Sequence, residues 1–146
     1  MIATPLSAQR QRGFSLVELL VVISIMGILL AMGAVSFSAA QRRGRDAKRR
    51  ADMSSIQKGF EQYFVEYGNA YTAACSTMFS TAAVFPAGAP IDPQTAVAYP
   101  NGQCSASAYC FCAQLEITGS GNASGRSGTA CNFGNGGDYY CVSNLQ

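Results

Sequence analysis

The chain has 146 residues, with ten basic and eight acidic side chains and no histidine, which leaves room for one small domain and one hydrophobic element. A formal charge of +2 is too close to neutral for the molecule as a whole to be a polyanion binder, although Arg42, Arg43, Arg45, Lys48, Arg49 and Arg50 form a dense basic cluster. The missing histidine removes Ser-His-Asp and Cys-His catalysis and any histidine-containing metal site, so neither enzymatic activity nor a cofactor is expected.

The first element is apolar. Phe14 to Ala40 is a run of 27 residues with a single charge, Glu18, and as a helix it is long enough to span a bilayer. A secretory signal has a shorter apolar stretch, about 7–15 residues, ahead of a small-residue cleavage site. Ser38-Ala39-Ala40 has the composition of such a site, but the run is too long. A carboxylate inside lipid costs roughly 3 kcal/mol and brings a plain signal peptide nothing in return.

Arg12-Gly13 followed by Phe14-Ser15-Leu16-Val17-Glu18-Leu19-Leu20 resembles the processing site of type IV prepilins and type II secretion pseudopilins. The resemblance implies a leader at residues 1–13, cut after Gly13 by a membrane prepilin peptidase, and methylation of the new amine of Phe14. It also implies an assembly contact in which Glu18 attracts the Phe14 amine of a neighbouring subunit. A cation from an adjacent chain would neutralise a carboxylate that lipid alone disfavours. Loss of Arg10 and Arg12 with the leader would leave the mature side chains formally neutral. Basic residues flanking the span, two before it and six after, would by counting alone keep the C-terminal part in the cytoplasm; the cysteines and the leader argue for export. Family members often carry a proline in the membrane segment. This chain has none between Phe14 and Phe85, leaving Gly27, Gly33 and Gly44 as the weak points of the helix.

The helical pattern continues through 41–68, where Met53, Ile56, Phe60, Tyr63 and Tyr67 recur at spacings of three and four and form one apolar face. That stripe reads as core rather than as a ligand site. Polar residues are expected on the other sides, with Asp46 and Arg50, and Lys58 and Glu61, able to pair along the surface. A helix from Phe14 to Tyr67 would be ~80 Å long. The basic cluster reads as a solvated or headgroup-facing band; the sharper reading is DNA contact, as in pili used for natural transformation.

From 69 to 146 the composition shifts to Ala, Ser, Gly, Pro and Cys. Pro86, Pro90, Pro93 and Pro100 mark a long loop, Ser107–Ile117 alternates as a strand, Gly119–Gly137 reads as a flexible excursion, and Asp138–Val142 as a short closing strand. All six cysteines, Cys75, Cys104, Cys110, Cys112, Cys131 and Cys141, lie here. Disulfides suit them better than zinc, because no CxxC pair exists. Cys110 and Cys112 project to one side of their strand and should each find a partner elsewhere, and Cys131 with Cys141 could close the terminal loop. Asn122-Ala123-Ser124 is a glycosylation triplet.

The resemblance then implies an α+β pilin-like fold: a long N-terminal helix whose C-terminal half packs on a small antiparallel sheet head. The expected function is that of a structural subunit in a type IV pilus-like filament on the cell surface, inserted in the cytoplasmic membrane as a precursor. Its partners would be copies of itself or other pilins and the pilus assembly machinery. A type II secretion pseudopilin and a DNA-uptake pilin are the alternatives within the family, and a secreted disulfide domain the alternative outside it. Calcium, held by some pseudopilin heads near the C-terminus, could use Asp138 with Asn132 or Asn135, but three acids after Glu66 are a thin supply.

Overall fold

The structure, a computed structural model, describes residues 13–100 and 102–146; the expected leader, Gly13 apart, lies outside the described residues. The chain divides into two units, one ending at Ser38 and one running from Ala39 to Gln146. Helix α1, Leu16–Glu66, has 51 residues. It begins with a capping pattern, S-x-x-E, in which the Ser15 amide donates to Glu18 Oε2 at 3.2 Å. It ends two residues earlier than the sequence suggests. Asn69 N–H donates to Phe64 O at 2.9 Å while Gly68 takes φ +88°, a C-terminal closure that favours glycine.

In the first unit, the large apolar side chains from Leu16 to Met32, and that of Phe37, are exposed, and the segment is long and apolar enough to cross a membrane by length and composition. In the second unit the rest of α1 carries the core of a head built from a short helix α2, Cys75–Phe79, and five strands. These are β1 Gly102–Cys104, β2 Tyr109–Gln114, β3 Gly121–Ser127, β4 Ala130–Gly137 and β5 Tyr139–Ser143. They form one antiparallel sheet in the order β1-β2-β5-β3-β4. The expected α+β arrangement, a long N-terminal helix with an antiparallel head, is the one observed.

Strand β2, between β1 and β5, is buried on both faces. Tyr109, Phe111 and Ala113 join Met53, Ile56, Phe60, Met78, Phe85 and Val142 in the main core. Phe60 packs its ring against Phe79, Phe85, Tyr109 and Phe111 at centroid separations of 4.9 to 5.9 Å, largely edge-on as the ring quadrupoles prefer. Cys110 and Cys112 face the other way into a second cluster with Ala123 and Cys141. The apolar stripe is shorter than its periodicity implied. Met53, Ile56 and Phe60 are buried, Tyr63 is only partly so, and Tyr67 is exposed, stacked on Tyr63 at 4.5 Å.

Three expectations need correction. The strand expected over Ser107–Ile117 is confined to Tyr109–Gln114, because the amides of Glu116 and Ile117 leave the ladder to donate to the Asp46 carboxylate at 2.9 and 3.0 Å. Gly119–Gly137 is a β-hairpin, not a flexible excursion. Its glycines are sites of close approach: a Cβ on Gly121 would overlap the Tyr139 carbonyl, and one on Gly137 the Ala123 carbonyl. Cys131 and Cys141 do not bond each other. The disulfides are Cys75–Cys104, Cys110–Cys131 and Cys112–Cys141, since Cys112 and Cys141 stand directly opposite in the β2–β5 register and the hairpin brings Cys131 to Cys110.

Candidate assembly segment and its anchor in the head

Two groups of residues carry functional meaning: the start of α1, and the polar stretch of α1 that enters the head. At the start, Phe14 is 82% exposed and a Cβ at Gly13 would meet nothing within 4 Å among the described residues. Glu18 sits one turn into the helix with a carboxylate that takes up the Ser15 amide. Negative charge in a first turn also complements the helix dipole. The sequence assigned Glu18 to a neighbouring subunit alone; within its own chain it also caps the helix, through one carboxylate oxygen, while Oε1 has no partner among the described residues.

The polar stretch corrects the surface-band reading of the basic cluster in part: Arg42, Arg43, Lys48 and Arg50 are exposed, while Arg45 is half-buried and Arg49 is buried. Arg49 is 4% exposed and Asp46 and Asp52 are 3% exposed. Asp46, Arg49, Met53, Ile56 and Phe60 follow one another at three- and four-residue steps, so the acid and the arginine prolong the apolar stripe toward the N-terminus of the helix. Arg49 uses every nitrogen of its fork, one bond within α1 and the rest to the head: Nε on Asp92 at 2.6 Å, Nη1 on Asp46 of its own helix at 2.9 Å and on Glu116 at 3.0 Å, Nη2 on Gln94 at 3.0 Å and Asp92 at 3.3 Å. Arg45 makes a side-on pair with Glu116 at 2.6 and 2.7 Å. Lys48 pairs with Asp52, whose other oxygen accepts from Tyr99 Oη at 2.8 Å. Arg50, expected beside Asp46, instead donates to Ser120 O at 2.7 Å and lies 5.8 Å from the centre of the Tyr140 ring.

Electrostatics follow from this geometry. The hydrogen bond from Arg49 holds Asp92 down to about 2, and that from Arg45 holds Glu116 down to about 2, in each case against a smaller opposing effect of burial. Arg49 is pushed further above its usual range, first by its bond to Asp92. Farther along α1, Glu61 accepts from Tyr71 Oη and Tyr109 Oη, each at 2.9 Å, and from Leu145 N at 3.1 Å. Burial first, and this bond second, raise the Tyr109 hydroxyl well above its ordinary value, so it remains a donor. Every acid of α1 from Asp46 to Glu61 therefore receives a group from the head.

The remaining candidates are placed as follows. The four sulfurs of Cys110, Cys112, Cys131 and Cys141 lie within 4.8 Å of one another, but as two disulfides they offer no thiolate to a metal. Asn122 has its side-chain nitrogen on Cys141 O at 2.9 Å and accepts from Cys141 N at 2.7 Å, so this side chain is committed to a strand-like pairing. Asp138 Oδ1 accepts from Gly119 N at 2.9 Å. The signal that could have revealed the buried polar face was its phase: 46, 49, 53, 56 and 60 fall on one line, and only the convention that charges face water hid it.

Comparison with known proteins bears on the first group. The family described as "Prokaryotic N-terminal methylation motif" matches residues 8–34. The chain is similar to the type IV major pilin protein PilA of Myxococcus xanthus (strain DK1622), with 32% identity over 57 residues, 39% of this chain and 26% of that protein. No solved structure matches.

Proposed function

We propose, from an N-terminal segment that matches the methylation motif and is similar to a type IV major pilin, that this chain is a subunit of an extracellular type IV pilus-like filament. The observation that carries the reading is an apolar α1 segment whose large side chains from Leu16 to Met32, and that of Phe37, are exposed in the single chain. Such a surface is held in lipid before assembly and needs protein cover after it. A prepilin peptidase cuts after Gly13, Phe14 is methylated, and the Phe14 amine of one subunit meets the free oxygen of Glu18 in the next. Head-to-tail contacts of this kind generate open helical polymers. A pilus is preferred to a secretion pseudopilus because one similar protein is a type IV major pilin. DNA contact keeps only the exposed part of the basic cluster, Arg42, Arg43, Lys48 and Arg50, since Arg45 and Arg49 are engaged by Glu116 and Asp92.

Filaments sheared from cells provide the test. The reading expects this chain in them, and expects Glu18→Ala to accumulate in the membrane fraction while its share of the filament falls strongly in the presence of unaltered subunits. Absence of the chain from sheared surface filaments, with retention in the cell envelope, would favour the pseudopilin reading instead. Normal incorporation of Glu18→Ala would remove the amine contact from the account.

A further inference from the structure

The sulfur cluster of the sheet takes no part in filament assembly as described, yet it gathers four metal-ligating side chains. Strand β2 contributes Cys110 and Cys112, whose alternate positions put both on one side of the strand. Cys141 of β5 stands opposite Cys112 in register, and Cys131 comes from β4. The four sulfurs lie within 4.8 Å of one another. Cys110 Sγ and Cys112 Sγ, which belong to different disulfides, are 3.7 Å apart. Around a tetrahedral zinc with Zn–S of about 2.3 Å, neighbouring sulfurs stand about 3.8 Å apart, so these four occupy the space of one such site. Cys110, Cys112 and Cys141 are buried and Cys131 is half-buried, which shields the centre from water. Three strands supply the ligands, so the local spacing that marks a zinc knuckle never arises in the sequence.

We propose that the reduced chain binds one Zn²⁺ through the thiolates of Cys110, Cys112, Cys131 and Cys141, and that formation of Cys110–Cys131 and Cys112–Cys141 releases it. A dithiol reductant opens the two bonds by exchange: each bond takes up two electrons and two protons while one dithiol closes to a disulfide. Zn²⁺ then displaces the four thiol protons into solvent. A disulfide oxidant reverses the sequence, accepting two electrons per bond formed, becoming a dithiol, and leaving Zn²⁺ without thiolates. Four thiolates on Zn²⁺ carry a net double negative charge, which is costly to bury alone. Arg126, the only basic residue after Lys58, is the cross-strand partner of Cys131, and opposed residues project from the same face, so positive charge stands on the side of the sheet that carries Cys131. Cys75 and Cys104 belong to the other core cluster and supply no ligand. In the reduced chain, zinc therefore ties β2, β4 and β5 together where two disulfides do so in the oxidised one.

The proposal does not depend on the filament reading and is tested on the full chain in detergent micelles. A phosphine, oxidised to its oxide, replaces the dithiol so that no other thiol competes for metal. The reduced chain is titrated with Zn²⁺ and, as a spectroscopic substitute, with Co²⁺. One Zn²⁺ per chain is expected, bound with roughly nanomolar affinity or tighter, and the Co²⁺ form should show the absorption of a tetrahedral four-thiolate site. Alkylation of the zinc form should label Cys75 and Cys104 and spare the other four, while the amide spectrum of the head stays dispersed. Cys112→Ser with Cys141→Ser should weaken Zn²⁺ binding by more than the about 10–100-fold that loss of a supporting group costs. Cys75→Ser with Cys104→Ser should leave it within about twofold. The unaltered chain gives the answer even if a variant misfolds. Failure to saturate at one Zn²⁺, a Co²⁺ spectrum without four thiolates, labelling of all six cysteines, equal binding by the oxidised chain, or binding only with a collapsed amide spectrum, which assigns the metal to an unfolded chain, would each overturn it.

Discussion

Arg49 is the residue on which the junction between α1 and the head turns. With its fork on Asp46, Asp92 and Glu116, its removal strands carboxylates that cannot return to water without unpacking the loop. Arg49→Met should therefore lower the stability of the head by roughly 3 kcal/mol in urea unfolding of the solubilised chain, whereas Lys58→Met on the exposed side of the same helix should change it by less than about 0.5 kcal/mol. Acid should act through the same groups. Asp92 and Glu116 are held below their ordinary values, at about 2, so the unfolded chain binds more protons than the native one as pH falls through the range between. Their contribution is complete above about pH 5 and is lost toward pH 2. Unfolding midpoints should be flat from pH 7 to about 5 and decline below, and the decline should be shallower in Arg49→Met; a parallel decline in the variant would place the acid sensitivity elsewhere. Sequence alone exposed the charges but not their burial. Their partners Asp92 and Glu116 lie 43 and 67 residues away from Arg49, and no local pattern announces such a pairing.

At the level of elements, α1 was legible because its signals are local: a proline-free apolar run and an i, i+3, i+4 stripe. The hairpin of β3 and β4 was not, because Gly121–Ser127 and Ala130–Gly137 have neither alternation nor β-branched residues apart from the turn's Thr129. They are held as strands by the ladder to β5 and by Cys110–Cys131, which ties β4 to β2, non-local constraints that composition cannot express. Glycines on α1 separate packing from propensity. A Cβ at Gly59 would overlap the Phe85 ring, while one at Gly44 would meet nothing within 4 Å. Gly44→Ala should accordingly stabilise by up to about 1 kcal/mol. Gly59→Ala should lose about 1–2 kcal/mol in spite of the same gain in propensity, and equal effects of the two would show that Phe85 is not seated as described. The disulfides serve the elements in the same way. Cys75–Cys104 closes a separation of 29 residues, and replacing both by alanine should cost about 3 kcal/mol and loosen α2 and the loop behind it first, read as early amide exchange at Met78 and Phe79.

For the whole molecule, the two units place opposite demands on one helix. Phe14, the large apolar residues from Leu16 to Met32, and Phe37 are uncovered, while residues from Asp46 onward are covered by the head through a graded series of contacts: ion pairs at Asp46 and Arg49, apolar packing from Met53 to Phe60, then tyrosine hydroxyls on Glu61. A head fastened in this way can remain folded while the other half of the helix exchanges lipid for neighbouring subunits. The account therefore stands or falls on whether the apolar half is processed for assembly or discarded. Intact-mass and N-terminal sequencing of the protein recovered from membranes and from sheared filaments decides this most directly. The predicted result is one chain beginning at N-methylated Phe14 with three disulfides intact; a chain beginning near Gln41, or one that retains Met1 to Gly13, would contradict it.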